Sequence, residues 1–120
     1  WNHDFSNPAS QAFVQAFTKE YGRLPSIYAA QAFDVVMMMD AAVRDTRGEL
    51  DDNDAVRAAL KKASFKSVRG DFRFGPNQFP IQDYYLRTIG KDAQGRITNR
   101  TLNKVFTAHQ DTYAGQCPMK

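Results

Sequence analysis

The chain has 120 residues, 42% of them apolar, and sets 16 basic side chains against 13 acidic ones for a net charge of +3. That length makes one domain or a piece of one, able to bury about 65% of the surface its unfolded form exposes. The composition excludes a disordered or low-complexity chain. The nearest thing to a basic cluster, Arg69 to Arg73, is broken by Asp71, so the electrostatic footprint of a nucleic-acid binder is missing and no nucleic-acid partner is expected.

Trp1 to Asn7 is polar and irregular, with Trp1 and Phe5 as anchors. The opening has neither an initiator methionine nor a charged-then-apolar leader, so it reads as a processed or excised segment. Asn7-Pro8 is a helix start: asparagine caps the first amides and proline occupies a position whose N–H would be unsatisfied anyway. Ala9, Ala12, Phe13, Ala16 and Phe17 recur at helical spacing and Gly22 supplies a stop, which predicts a helix over 8–21.

Pro25 to Gly48 is the longest apolar stretch, interrupted between Ile27 and Val43 only by Gln31, Asp34 and Asp40. It is too long for a strand, and its aspartates leave it short of the roughly 20 uninterrupted apolar residues of a membrane span. It predicts a central helix, covered on most sides, with Pro25 in the first turn and Gly48 closing it in the left-handed conformation. Asp34 and Asp40, six residues apart, fall on different faces. They are read as a wetter stripe or as caps for loops of neighbouring elements.

Asp52, Asn53 and Asp54 compete to cap a third, amphipathic helix ending near Ala63. From Val68 to Phe74 the period turns to alternation, with Val68, Phe72 and Phe74 on one side and Arg69, Asp71 and Arg73 on the other, which predicts a half-buried strand. Gly75 to Gln78 is turn chemistry, and Phe79-Pro80 is excluded from a central strand because proline donates no ladder bond. Tyr84 to Ile89 predicts a second strand, Lys91 to Gly95 a turn and Ile97 to Phe106 a third strand. The tail from His109 to Lys120 is left irregular or as a short helical turn.

Chemistry-bearing residues are sparse. His3 and His109 lie far apart and neither has a partner at i+3 or i+4, so no metal site is expected. Cys117 is the only cysteine, and with no activating context it makes no nucleophile. No phosphate-cradling glycine motif occurs, no cofactor is expected, and no set of nucleophile, base and orienter can be assembled for an enzyme. Asn99-Arg100-Thr101 is formally a glycosylation triplet. Tyr28, in the first turn of the central helix where amide N–H groups favour polar ligand atoms, stands open between two readings: a ligand-stacking ring or a packing residue with its hydroxyl at water.

Taken together, Asn7-Pro8, Phe13-Val14, Tyr21-Gly22, the run Pro25 to Asp34, Ala55 to Leu60, Arg69-Gly70, Phe72-Arg73-Phe74, Asn77, Pro80 to Asp83 and Tyr85 resemble the C-terminal third of type I periplasmic substrate-binding proteins of the branched-chain amino acid transporter family, in the branch that takes aromatic acids. The resemblance implies an α/β fold: part of a two-lobed periplasmic-binding-protein type I architecture, here three helices followed by two or three β-strands. It implies that residues 1–80 form helices and a crossing strand of one lobe, and residues 81–120 strands and tail of the other. It implies a non-enzymatic, periplasmic component of an ABC transporter that captures an amino acid or aromatic carboxylate by lobe closure and delivers it to a membrane permease. Tyr28 matches the family's cleft-mouth aromatic, and Gln31 and Trp1 follow from proximity to it. The remainder of the parent chain is a further expected partner, and the isolated segment is expected to self-associate through uncovered faces and strand edges. A ligand-sensing module of a receptor or regulator, which shares this fold, is the rival reading.

Overall fold

A computed structural model describes residues 1–71 and 73–117. The first helix, α1 (Pro8–Tyr21), has the predicted bounds: Asn7 Oδ1 accepts from Ser10 N–H at 2.7 Å, and Gly22, at φ 64°, closes the helix onto the Thr18 carbonyl. The central helix, α2 (Ile27–Asp45), begins later than expected. Ser26 is the N-cap, accepting from Ala29 N–H, so Pro25 lies before the helix rather than in its first turn. Gly48 is left-handed as predicted, and its N–H returns to the Val43 carbonyl. Of the three candidate caps, Asp52 wins the third helix, α3 (Asn53–Lys62), accepting from the N–H groups of Asp54 and Ala55.

The strand expected from Val68 shortens to β1 (Arg73–Phe74), and Ser67 to Gly70 is a turn whose Val68 N–H donates to Asp34 rather than to a ladder. Phe72, assigned to that strand's apolar side, lies outside the described residues, as do residues 118–120 of the tail. The other strands are longer than predicted: β2 (Pro80–Lys91) and β3 (Ile97–His109). They form an antiparallel sheet in the order β1-β2-β3. Pro80 thus belongs to the middle strand after all, at its first residue, where a missing donor is tolerated. The Asp92 carboxylate and left-handed Gly95 build the β2–β3 turn. A single 3-10 turn (Ala114–Gln116) follows.

The core is small. Phe13, Ala30 and Val68 are buried together, with Trp1, Val14, Phe17 and Ala29 packed on them. The rings of Trp1, Phe17 and Phe33 surround Phe13 at centroid distances of 4.9–5.9 Å. The covered central helix is not what the chain shows: only Ala30, Asp34 and Ala42 of α2 are buried, while Val36 and Met39 are 63% and 56% exposed. One face of α2 meets α1, α3 and the 67–69 turn, and nothing among the described residues covers the others. Among the described residues, no helix is long and apolar enough to cross a membrane.

Candidate functional site

A chain of hydrogen bonds links the start of the sequence to the turn before β1. Trp1 Nε1 donates to buried Ser10 at 2.8 Å, Ser10 N–H donates to Asn7, and Asn7 Nδ2 donates to the Val68 carbonyl at 3.0 Å. From the other side Asp34, 2% exposed, accepts from Ser67 Oγ at 2.6 Å, from Val68 N–H at 2.9 Å and from Arg69 Nε at 2.9 Å. Asp34 is therefore the loop cap that its place on the helix suggested. Asp40, on another face, is a surface partner of Arg44.

The segment before α1 is also stitched to β3. Asp4 accepts from Thr101 N–H and Oγ at 2.8 Å each, and Asn2 donates to the Asn99 carbonyl. His3 pairs with the Thr98 hydroxyl, and His109 packs its ring on Tyr84 and Phe106. Burial pushes the Asp4 carboxyl up, but the hydrogen bonds from Thr101 and Asn2 outweigh it and leave its pKa below the ordinary value. No group of three His, Cys, Asp or Glu among the described residues is placed to hold a metal ion.

These ties form a recess of about 290 Å³ between Trp1 and Phe5, the start of α2 at Ile27 and Gln31, Arg69, and the first half of β2. Trp1 and Gln31, two of the three residues singled out from sequence, meet there. Tyr28 does not line it. It is 77% exposed and lies one residue beyond Ile27, on the open surface of the helix start.

Strand β2 contributes most of the remaining wall. Its Ile81, Asp83, Tyr85 and Arg87 are buried or half-buried, whereas Tyr84, Leu86 and Thr88 are exposed. Register shifts around Tyr84 bring both Tyr84 and Tyr85 to the recess. The Asp83 carboxylate is engaged by Lys104 and the Ala108 N–H, which hold its pKa below the usual carboxylate value. Burial, then the Asp83 charge, raises the Tyr85 phenol.

Phe5, Arg69, Asp83 and Tyr85 are shared with a wider cleft of about 600 Å³ that extends to Asp4, Arg73 and Thr101. Three carboxylates line that cleft, Asp4, Asp71 and Asp83, and Asp4 and Asp83 are already bonded. The smaller recess combines aromatic rings, two guanidinium groups, two amide side chains and the carboxylate of Asp83, itself engaged by Lys104 and the Ala108 N–H, a set suited to a small anionic molecule with an apolar ring. Sequence reading missed Arg69, Tyr84, Tyr85 and Arg87. The available signal was a cation at an inward position of an alternating strand, two residues after Tyr85.

The sequence profile of the periplasmic binding protein family matches residues 1–94. The chain belongs to this family. Among solved structures it is similar to the solute-binding protein of an ABC transporter from R. palustris in complex with benzoate, at 31% identity and a TM-score of 0.81, over 93% of this chain and 30% of that one. It is also similar to an ABC transporter substrate-binding protein from Sphaerobacter thermophilus (26% identity, TM-score 0.79, over 90% of this chain and 30% of that one). A third is a solute-binding protein of an ABC transporter from Rhodopseudomonas palustris BisB5 in complex with 3,4-dihydroxybenzoic acid (27%, 0.80, over 93% and 30%). A search of curated proteins finds no match. This periplasmic binding protein chain spans about 30% of the length of the structures it matches.

Proposed function

We propose that this chain is the C-terminal part of the extracytoplasmic solute-binding component of an ABC transporter, and that the whole protein captures a small aromatic carboxylate or amino acid. Residues 1–80 belong to one lobe and residues 81–120 to the other. The ligand biases an open and a closed arrangement through contacts made only when the lobes meet. The protein acts by binding and not by catalysis, in the periplasm, and hands its ligand to a membrane permease.

The observation that carries this reading is the recess itself. In a chain of this family, Trp1 and Gln31 come from separate stretches to one concave surface built of aromatic, cationic and amide groups. Benzoate and 3,4-dihydroxybenzoic acid, bound by two of the similar structures, have that chemistry: an apolar ring and a carboxylate. Trp1 is oriented in advance by its bond to Ser10 and its edge contact with Phe13, so little ordering opposes stacking. Tyr28 adds a ring or hydroxyl contact of about 1 kcal/mol from the mouth.

The test is a thermal-shift screen of the full-length parent against aromatic carboxylates and amino acids, with Tyr28→Ala and Trp1→Ala as paired variants. Ligand at about a hundred times Kd stabilises by roughly 2.7 kcal/mol. A selective shift that weakens in both variants is the expected result. A shift of equal size in the variants removes these residues from the site, and no shift with either ligand class removes the function.

A further inference from the structure

The charged groups of the recess wall are engaged within the protein, and one of them is engaged incompletely. Arg69 Nε donates to Asp34, and Arg87 Nε is buried out of reach of the recess. The Asp83 side chain, by contrast, is 28% exposed. A carboxylate offers about four acceptor sites. Among the described residues Asp83 receives the Ala108 N–H on Oδ1 at 2.9 Å, Lys104 on Oδ2, and the Tyr85 hydroxyl on Oδ2 only at 3.5 Å. Oδ1 therefore keeps an acceptor site. The side-chain amides of Gln31, from α2, and Gln82, from β2, stand in the same wall and have no hydrogen bond among the described residues.

We propose that this recess takes the hydroxylated edge of an aromatic acid: a ring hydroxyl donates to Asp83, a glutamine amide donates to that hydroxyl's oxygen, and the ring lies against Trp1. The inference rests on the solute-binding reading above and deepens it by naming the substituent recognised. A hydroxyl both donates and accepts, so it uses a carboxylate acceptor and an amide donor together. A ligand carboxylate has no proton to give and would meet Asp83 as a like charge, so it points away from this wall. Lys104 and the Ala108 N–H keep Asp83 ionised by lowering its pKa, and a hydroxyl bound to an ionised acceptor makes a stronger bond than one between neutral groups. The arrangement therefore selects. A ring with hydrogen or fluorine in the hydroxyl's place strips water from Asp83 and the amide and leaves them without a partner.

The experiment is calorimetric titration of the full-length parent with 3,4-dihydroxybenzoate, with benzoate, and with 3,4-difluorobenzoate, whose fluorines stand where the hydroxyls do and cannot donate. Wild type is expected to bind the dihydroxy acid at least about tenfold more tightly than either of the others. Asp83→Asn is expected to lose most of that preference while binding benzoate as wild type does. A preference unchanged in Asp83→Asn, or affinities for all three that fall in parallel, overturns the assignment and leaves the binding reading intact. If Asp83→Asn does not fold, Gln31→Leu/Gln82→Leu decides: the preference narrows on this account, and a preference left unchanged overturns it. Equal affinity of wild type for the dihydroxy and difluoro acids refutes a hydroxyl site whatever the variants do. Wild type that binds none of the three defeats the proposal; if it also binds no amino acid, the solute-binding premise fails with it.

Discussion

Replacing Asp34 by alanine removes the group on which the turn before β1 is hung. The carboxylate is 2% exposed and receives three donors, the Ser67 hydroxyl, the Val68 N–H and Arg69 Nε, at 2.6–2.9 Å. Two neutral donors then lose their acceptor, and a guanidinium whose side chain is only 21% exposed loses its counter-charge. Breaking one side of a buried ion pair costs about 3–5 kcal/mol. Because Arg69 reaches water, the lower end, about 3 kcal/mol, is expected. Asp34→Asn keeps an acceptor for Val68 and loses the charge, for about 1–2 kcal/mol. Equilibrium unfolding of the full-length parent in guanidinium chloride reads both values, and the double variant Asp34→Ala/Arg69→Met isolates the coupling. With Arg69 already removed, the alanine change becomes markedly cheaper. A cost under about 1 kcal/mol for Asp34→Ala in the native background refutes the reasoning, because that outcome would mean the three donors find water instead.

Further predictions concern the ends of α1, the acid limb and the bare helix faces. Asn7→Ala removes both the cap of α1 and the bond to the Val68 carbonyl and should cost about 1–2 kcal/mol by denaturant unfolding, with Asn7→Asp, which restores only the cap, recovering part. Asp4 has a native pKa below its ordinary 3.8, so it contributes stability that is present above that value and lost as pH falls through the lower native one; Asp4→Asn should flatten the stability profile below about pH 3.8, and an unchanged acid limb contradicts this. Val36→Lys should cost under about 0.5 kcal/mol in the isolated 120-residue chain, where Val36 is 63% exposed, and about 2 kcal/mol or more in the full-length parent. Equal costs mean that this face stays bare in the parent. Light scattering of the isolated chain should show association that rises with concentration and weakens in Val36→Lys.

The elements legible in the sequence are those whose signals are local. Asn7-Pro8 and Gly22 bracket α1 because a cap and a left-handed stop act within a few residues, and the three-helix, three-strand order follows from the change of hydrophobic period after Phe65. Ser26 over Pro25 as the start of α2 is decided by one hydroxyl bond to Ala29 N–H. Val68 looked like a strand residue because alternation alone does not reveal that its N–H is claimed by a carboxylate 34 residues away. The recess was half legible: Trp1 and Gln31 meet in it, whereas Arg69 and Arg87 arrive through tertiary geometry, one through Asp34 and the other through the inward face of a strand. The apolar run of α2 announced a covered helix, and its cover is not found among the described residues.

Most direct for the central claim is isothermal titration of the full-length parent with benzoate and 3,4-dihydroxybenzoate, alongside leucine as a representative amino acid. The account predicts saturable one-to-one binding of at least one of the three, strongest for an aromatic carboxylate and weakened by Trp1→Ala. Absence of saturable heat with all three, from a protein that unfolds cooperatively, contradicts it.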